Sequence, residues 1–235
     1  MLHGENIVSV AKTKEPQNQS QIEDFQRLGP VTVGPWTSHI WRHDPRHMCF
    51  LLSRYKFVAK MLAGKQSVLE VGCGDAVGTP IVLQTVNAVH GIDFEPLVLN
   101  EAIERYRKER IDRATFAIHD MTAGPVPGKF DAAFSLDVIE HIPARLEKAF
   151  LDNICEALTP QAVCIFGTPN VTADQYASPA SKEGHINLKS AESLQRFLGC
   201  RFHNVFNFSM NDEVVHTGYA PMGHYLFAVG VGLKG

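Results

Sequence analysis

Asp137, Glu140 and His141 fall in one short stretch, Asp137-Val138-Ile139-Glu140-His141, directly after an apolar run that ends at Leu136. A D-x-x-E-H spacing can place two carboxylates and an imidazole on one face of a turn. An imidazole such as that of His141 is the kind of group that serves as a base toward a hydroxyl. With Glu140, and with His185 from a later segment, it also makes a mixed carboxylate–imidazole set of the kind that suits Mg, Mn or Zn. The plain alternative is structural: Asp137 and Glu140 cap a helix while His141 packs or hydrogen-bonds. Glu140, His141 and His185 are therefore the catalytic candidates, and the use of a divalent metal stays open.

A second group of residues reads as a ligand cradle. Val68-Leu69-Glu70-Val71-Gly72-Cys73-Gly74-Asp75 is an apolar run that breaks into two closely spaced glycines. Glycines there let the backbone turn sharply and approach a ligand without a Cβ in the way. The loop is not a P-loop, since no G-K-[ST] follows, and it is not G-x-G-x-x-G, since position 77 is Val. Asp93 closes the next apolar run and Asp120 the one after. A carboxylate at the first position suits ribose hydroxyls, and one at the second suits an adenine amino group. Each Asp alone is an ordinary turn former; three polar ends on successive strands argue together for a nucleoside-like ligand.

The elements that must hold these groups follow from hydrophobic periodicity. Strands are expected at 67–71, 88–92, 115–119, 130–136, 162–167, 202–208 and 225–232. Helices are expected at 21–29, 45–62, 78–85, 97–110, 144–157 and 191–198. Strands alternating with helices predict an α/β fold, a parallel sheet with helices on both faces. Residues 29–36, rich in Gly and Pro, are expected to be loop. Residues 1–20 read as a polar flexible leader, 21–65 as an N-terminal helical cap, and 66–235 as one catalytic domain. The segment 168–189 is too rich in Pro, Ser, Asn and Gly to show a period, and loops of that length are usually functional or disordered. His39, His43 and His47 are spaced by four, but Pro45 and a helix start near Asp44 should break their alignment, so they are not read as a zinc site.

Composition narrows the partners. The 235 residues are 45% apolar, enough for a sizeable core, and carry 22 Lys+Arg against 25 Asp+Glu, a net charge of −3. A nucleic-acid partner is disfavoured by that balance. Five cysteines without C-x-x-C spacing argue against a disulfide framework. With no run of the ~18 apolar residues that a membrane span needs, the expected location is the reducing cytoplasm.

VLEVGCGD, GIDFEP, IHDM, FDAAFSLDVIEHI and ALTPQAVCIFGTPN together resemble the ordered motifs of class I S-adenosylmethionine-dependent methyltransferases. Within that class the chain is most similar to ubiquinone-biosynthesis-type O-methyltransferases and related sugar methyltransferases. The resemblance implies a Rossmann-like, seven-stranded, mostly parallel sheet with an antiparallel last strand. It places Glu70, Gly72, Cys73 and Gly74 by the methionine and ribose of the cofactor, with Cys73 expected to pack rather than react. It places Asp93 on the ribose diol, Phe94 beside the adenine, Asp120 and Met121 facing it, and Leu136 along the site. Trp41-Arg42-His43-Asp44-Pro45-Arg46 resembles a segment in which an arginine reaches the methionine carboxylate, which implies Arg42. The family often carries a further glycine where this chain has Ala76. Members of similar type use an acidic-x-x-E-H cluster for a divalent metal.

The implied activity is methylation of a small molecule, at a sugar or phenolic hydroxyl. His216, Tyr219, His224, Trp36, Trp41 and Tyr176 are candidates to rim the acceptor pocket. The alternatives are a nucleic-acid methyltransferase on the same fold, against which the net charge speaks, and a noncatalytic nucleotide-binding relative, against which the intact glycine loop and acidic strand ends speak.

Overall fold

The apolar runs of the sequence form strands whose successive side chains enter two different cores. Val68, Ala132, Phe134, Ile165, Phe227 and Val229 face one; Leu69, Ala133, Cys164, Phe166, Leu226 and Ala228 face the other. A sheet buried on both sides needs apolar residues at nearly every position, which is why these strands read as continuous runs rather than as alternation.

The computed structural model describes residues 12–235, so residues 1–11 of the expected leader lie outside it. The chain divides between Val33 and Gly34 into two compact units. The first holds a 3-10 turn at Pro16–Asn18 and helix α1 (Gln19–Leu28), which ends at Gly29 with φ +77°.

The second unit begins with α2 (Pro35–His43) and α3 (His47–Met61). It continues with β1 (Ser67–Val71), α4 (Thr79–Val82), β2 (Ala88–Asp93), α5 (Pro96–Glu109), β3 (Ala114–Ile118) and β4 (Phe130–Leu136). After two 3-10 turns come α6 (Glu147–Glu156), β5 (Leu158–Pro169), α7 (Pro179–Gly184), α8 (Ala191–Gly199), β6 (Phe202–Asn211), β7 (Val214–His216) and β8 (Tyr225–Leu233). The sheet order is β3-β2-β1-β4-β5-β8-β6-β7. β1 to β5 run parallel, and β8 pairs antiparallel with both β5 and β6. The Rossmann-like sheet with an antiparallel last strand is thus present. β7, three residues on the far edge, makes an eighth strand among the described residues.

One face is covered by α3, α4 and α5 through Tyr55, Val58, Val82, Ala102 and Tyr106; the other by α6 and α8 through Phe150, Leu151, Ile154, Leu194 and Leu198. The strand order reverses between β1 and β4, and in such sheets the crevice at the carboxyl ends beside that reversal receives ligands.

Local differences from the sequence reading have plain causes. Gly34-Pro35, taken for loop, starts α2, because Pro at the first helical position suits a helix start. α2 runs through His43, so His39 and His43 do share a face and stack with ring centroids 4.1 Å apart, while His47 opens α3. The expected loop 168–189 contains α7, capped by the Ser178 hydroxyl, which accepts from the Ser181 amide.

Candidate active site

The glycine loop leaves the end of β1 and is fixed from three sides. Gly72 and Gly74 have φ +78° and +53°, in the region that favours glycine. A Cβ on Gly74 would lie 2.8 Å from the Trp36 ring, and one on Gly72 would lie 2.2 Å from Val138. Ala76 holds φ +55° with its Cβ in place, so the loop keeps the left-handed turn at about 1–2 kcal/mol of strain. Asp75 receives the amide and hydroxyl of Thr37 at 2.8 and 2.9 Å, capping α2 from outside and seating Trp36 over the loop. Asp93, at the end of β2, accepts the Gly74 amide at 2.8 Å through Oδ2 and the Glu95 amide at 2.9 Å through Oδ1.

Trp36, Gly72, Asp93 and Val138 border a cavity of about 370 Å³, a volume typical of small-molecule sites. Asp93, Phe94, Asp120, Met121 and Phe150 contribute to its wall. Phe94 is 72% exposed, a large ring left open to solvent at the cavity wall. Asp120 uses Oδ1 to hold the Thr122 amide and hydroxyl at 2.8 and 2.7 Å. Each carboxylate oxygen can accept more than one bond, so both Asp residues keep acceptor capacity. This set of carboxylate acceptors and apolar side chains fits the nucleoside-bearing cofactor implied by the sequence.

A second cavity, of about 460 Å³, shares Trp36, Gly72, Asp137 and His141 with the first. Arg54 of α3, Glu140, His141 and His185 line it. Arg54 Nη1 donates to both oxygens of Asp137, at 2.8 and 2.7 Å. The guanidinium also lies 3.9 Å from the centroid of the Tyr225 ring, a cation–π contact. Asp137 has φ +58°, an uncommon backbone for a non-glycine, and the ion pair fixes it there.

Glu140 is fully buried and accepts the Thr168 hydroxyl at 3.0 Å through Oε2, while its Oε1 has no partner. Burial, and then Asp137 nearby, raise its carboxyl well above the usual range. His141 Nδ1 donates to the Gly184 carbonyl at 2.8 Å, which leaves Nε2 as the acceptor. His185 Nδ1 is buried without a partner, and burial followed by His141 lowers the imidazole pKa. Ligand atoms of Glu140, His141 and His185 lie within 4.8 Å of one another. Orphaned Glu140 Oε1 and His185 Nδ1, with the oriented His141, fit a divalent cation. Asp137 is not one of this group, and both of its oxygens face Arg54.

The other predicted residues divide. Gly72, Asp93, Phe94, Asp120 and Met121 border the first cavity; Gly72, Cys73, Gly74 and Leu136 border the second. Cys73 is buried, and its thiol is held far on the protonated side by burial first and Glu70 second. Glu70 borders neither cavity. It lies beneath the loop, accepts the Thr79 hydroxyl at 2.6 Å, and is pushed up to about 8 by burial. Arg42 is exposed on the last turn of α2 and also borders neither. Arg54, which does, was missed by sequence reasoning. Its signal was a charged residue inside an apolar helical stripe, three places after Leu51 and four before Val58.

Comparison with known proteins gives one consistent answer. A family described as methyltransferase domain matches residues 63–214. The chain is 27% identical over 170 residues to a ubiquinone biosynthesis O-methyltransferase of Actinobacillus pleuropneumoniae, covering 68% of each. It is 27% identical over 117 residues to a probable S-adenosylmethionine-dependent methyltransferase of Mycolicibacterium smegmatis, covering 49% of this chain and 42% of that one. The match thus spans less than half the length of the mycobacterial protein. In fold, the chain is similar to the N-methyltransferase NodS of Bradyrhizobium japonicum, solved with S-adenosyl-L-homocysteine. The TM-score is 0.59 at 17% identity, over 89% of this chain and 97% of that one.

Proposed function

The chain belongs to the S-adenosylmethionine-dependent methyltransferases through its methyltransferase domain, and from that membership we propose that it transfers the donor's methyl group to a hydroxyl oxygen of a small molecule, a sugar or a phenol. The observation that carries this reading is the shared wall of the two cavities. A nucleoside-sized space shares Gly72, Asp137 and His141 with a space lined by Glu140, His141 and His185.

When bound, S-adenosylmethionine supplies an electrophilic methyl carbon on a sulfonium. Asp93 would receive ribose hydroxyls, with its orientation preset by the Gly74 and Glu95 amides. Phe94 and Met121 would flank the adenine, and Trp36 would exclude water where the two spaces meet. Glu140, His141 and His185 would hold a divalent cation, which would supply positive charge favouring the deprotonated hydroxyl. Without a cation, Nε2 of His141 remains the base, since Nδ1 is committed to Gly184. The five cysteines are all free, which suits a reducing compartment such as the cytoplasm, and no described helix is long and apolar enough to cross a membrane.

Incubation with methyl-labelled donor and a panel of catechols and sugars tests the reading. The expected product carries the label on an acceptor oxygen. Label found on nitrogen or carbon, or transfer to RNA with a steep salt dependence, would overturn it.

A further inference from the structure

A third cavity, of about 760 Å³, lies between the 3-10 turns at Val171–Tyr176 and Ala220–Met222. Asn170 builds its frame. The side-chain amide donates to the carbonyls of Ala220 and Gly223, both at 2.8 Å, and the backbone amide donates to the His224 carbonyl at 2.9 Å. Asn170 is buried, so moving the 220–223 turn away from the end of β5 would strand these donors. The cavity is therefore formed before any ligand arrives.

Its lining has a definite chemistry. Among the described residues none that lines it is Lys, Arg, Asp or Glu. Tyr176 and Met222, which do line it, are 75% and 73% exposed. The Tyr176 ring stands 6.2 Å from that of His224. Large apolar side chains left open around a concavity mark a binding site more often than idle surface. A phosphate or carboxylate placed there would find no lysine or arginine to pair with, and His224 is the one imidazole on the wall. The cavity also adjoins the space lined by Glu140, His141 and His185, since Pro169 borders both.

We propose that this third cavity seats the non-reacting part of the methyl acceptor and that this part is uncharged and apolar, an aryl group rather than a phosphate-bearing sugar. The assignment rests on the methyltransferase reading above and narrows its acceptor class. Tyr176 and Met222 are then specificity-determining residues, and the acceptor reaches the reacting centre past Pro169.

The neutral dye N-phenyl-1-naphthylamine, which brightens in apolar surroundings, is the probe. Titration of the full chain should give saturable binding. 4-Propylcatechol should displace the dye, and uridine diphosphate glucose should not. Met222→Asp, which puts a charge into the cavity wall, should weaken dye binding by about tenfold or more, and Tyr176→Ser should weaken it less. Both side chains are largely exposed, so an unchanged melting temperature is expected and checks that each variant is folded. Absence of saturable binding, binding by Met222→Asp equal to the parent, or displacement by the sugar nucleotide would each overturn the assignment. Calorimetry with S-adenosylhomocysteine on the unmodified chain separates the two levels, because the first cavity shares no lining residue with the third. Failure there removes the methyltransferase reading; failure of the dye alone removes only the acceptor class.

Discussion

Arg54 and Asp137 are 83 residues apart in sequence, yet one guanidinium nitrogen of Arg54 contacts both carboxylate oxygens of Asp137, at 2.8 and 2.7 Å. The pair joins α3 to the turn after β4 that carries Glu140 and His141. It also holds Asp137 against Arg54, beside the cluster of Glu140, His141 and His185.

Replacing Arg54 by Met should therefore cost more than a surface ion pair would. Asp137 would lose two charge-assisted bonds while holding a left-handed backbone, at about 1.5–3 kcal/mol. The double variant Arg54→Met/Asp137→Asn should recover part of that loss. Urea denaturation measures both. Equal stability of Arg54→Met and the parent would show that the pair is incidental.

The cluster of Glu140, His141 and His185 predicts one divalent cation per chain. Calorimetry with Mn or Zn should show a single site, and His185→Ala should lower its affinity by about tenfold or more. Protons compete with metal for the imidazoles, so affinity should fall as the medium is acidified. The lowered pKa of His185 keeps that ring neutral further into the acid range than an ordinary histidine. Methyl transfer that persists in excess chelator would reject the metal and leave His141 as the base.

Glu70 makes a separate prediction about pH. Its carboxyl, pushed up to about 8 by burial, lies above the usual value of 4.5 in the unfolded chain. Between those values the folded chain binds the extra proton, so stability is full below about 4.5 and is lost as pH rises toward 8. The slope approaches about 1.4 kcal/mol per pH unit where this group alone titrates. Glu70→Gln keeps an oxygen for the Thr79 hydroxyl and should flatten part of the fall in melting temperature between pH 5 and 8. An identical pH profile for the two proteins would refute this account of Glu70.

The ends of β1, β2, β3 and β4 were legible because local chemistry marks them. Paired glycines and terminal carboxylates write the loop and the strand ends into a few adjacent residues. Gly72, Asp93, Phe94, Asp120 and Met121 all border the first cavity for that reason. Arg54 was not legible, since its partner is fixed by the packing of α3 on the sheet, a relation between distant segments. Arg42 shows the converse. Its motif neighbours were recognised, but the pitch of α2 turns the side chain to solvent. Glu70 was placed beside the ligand by motif position, whereas strand alternation and Thr79 hold it beneath the loop. The short β7 and α7 carry too few periodic residues to stand out from the turns around them.

The central claim, a nucleoside-bearing methyl donor bound through Asp93, is tested most directly by calorimetry with S-adenosylhomocysteine on the parent chain and on Asp93→Ala. The account predicts one site in the parent and a loss of about 1.5–3 kcal/mol in the variant, roughly 10- to 150-fold in affinity. No binding to the parent, or equal affinity in the two proteins, would contradict it.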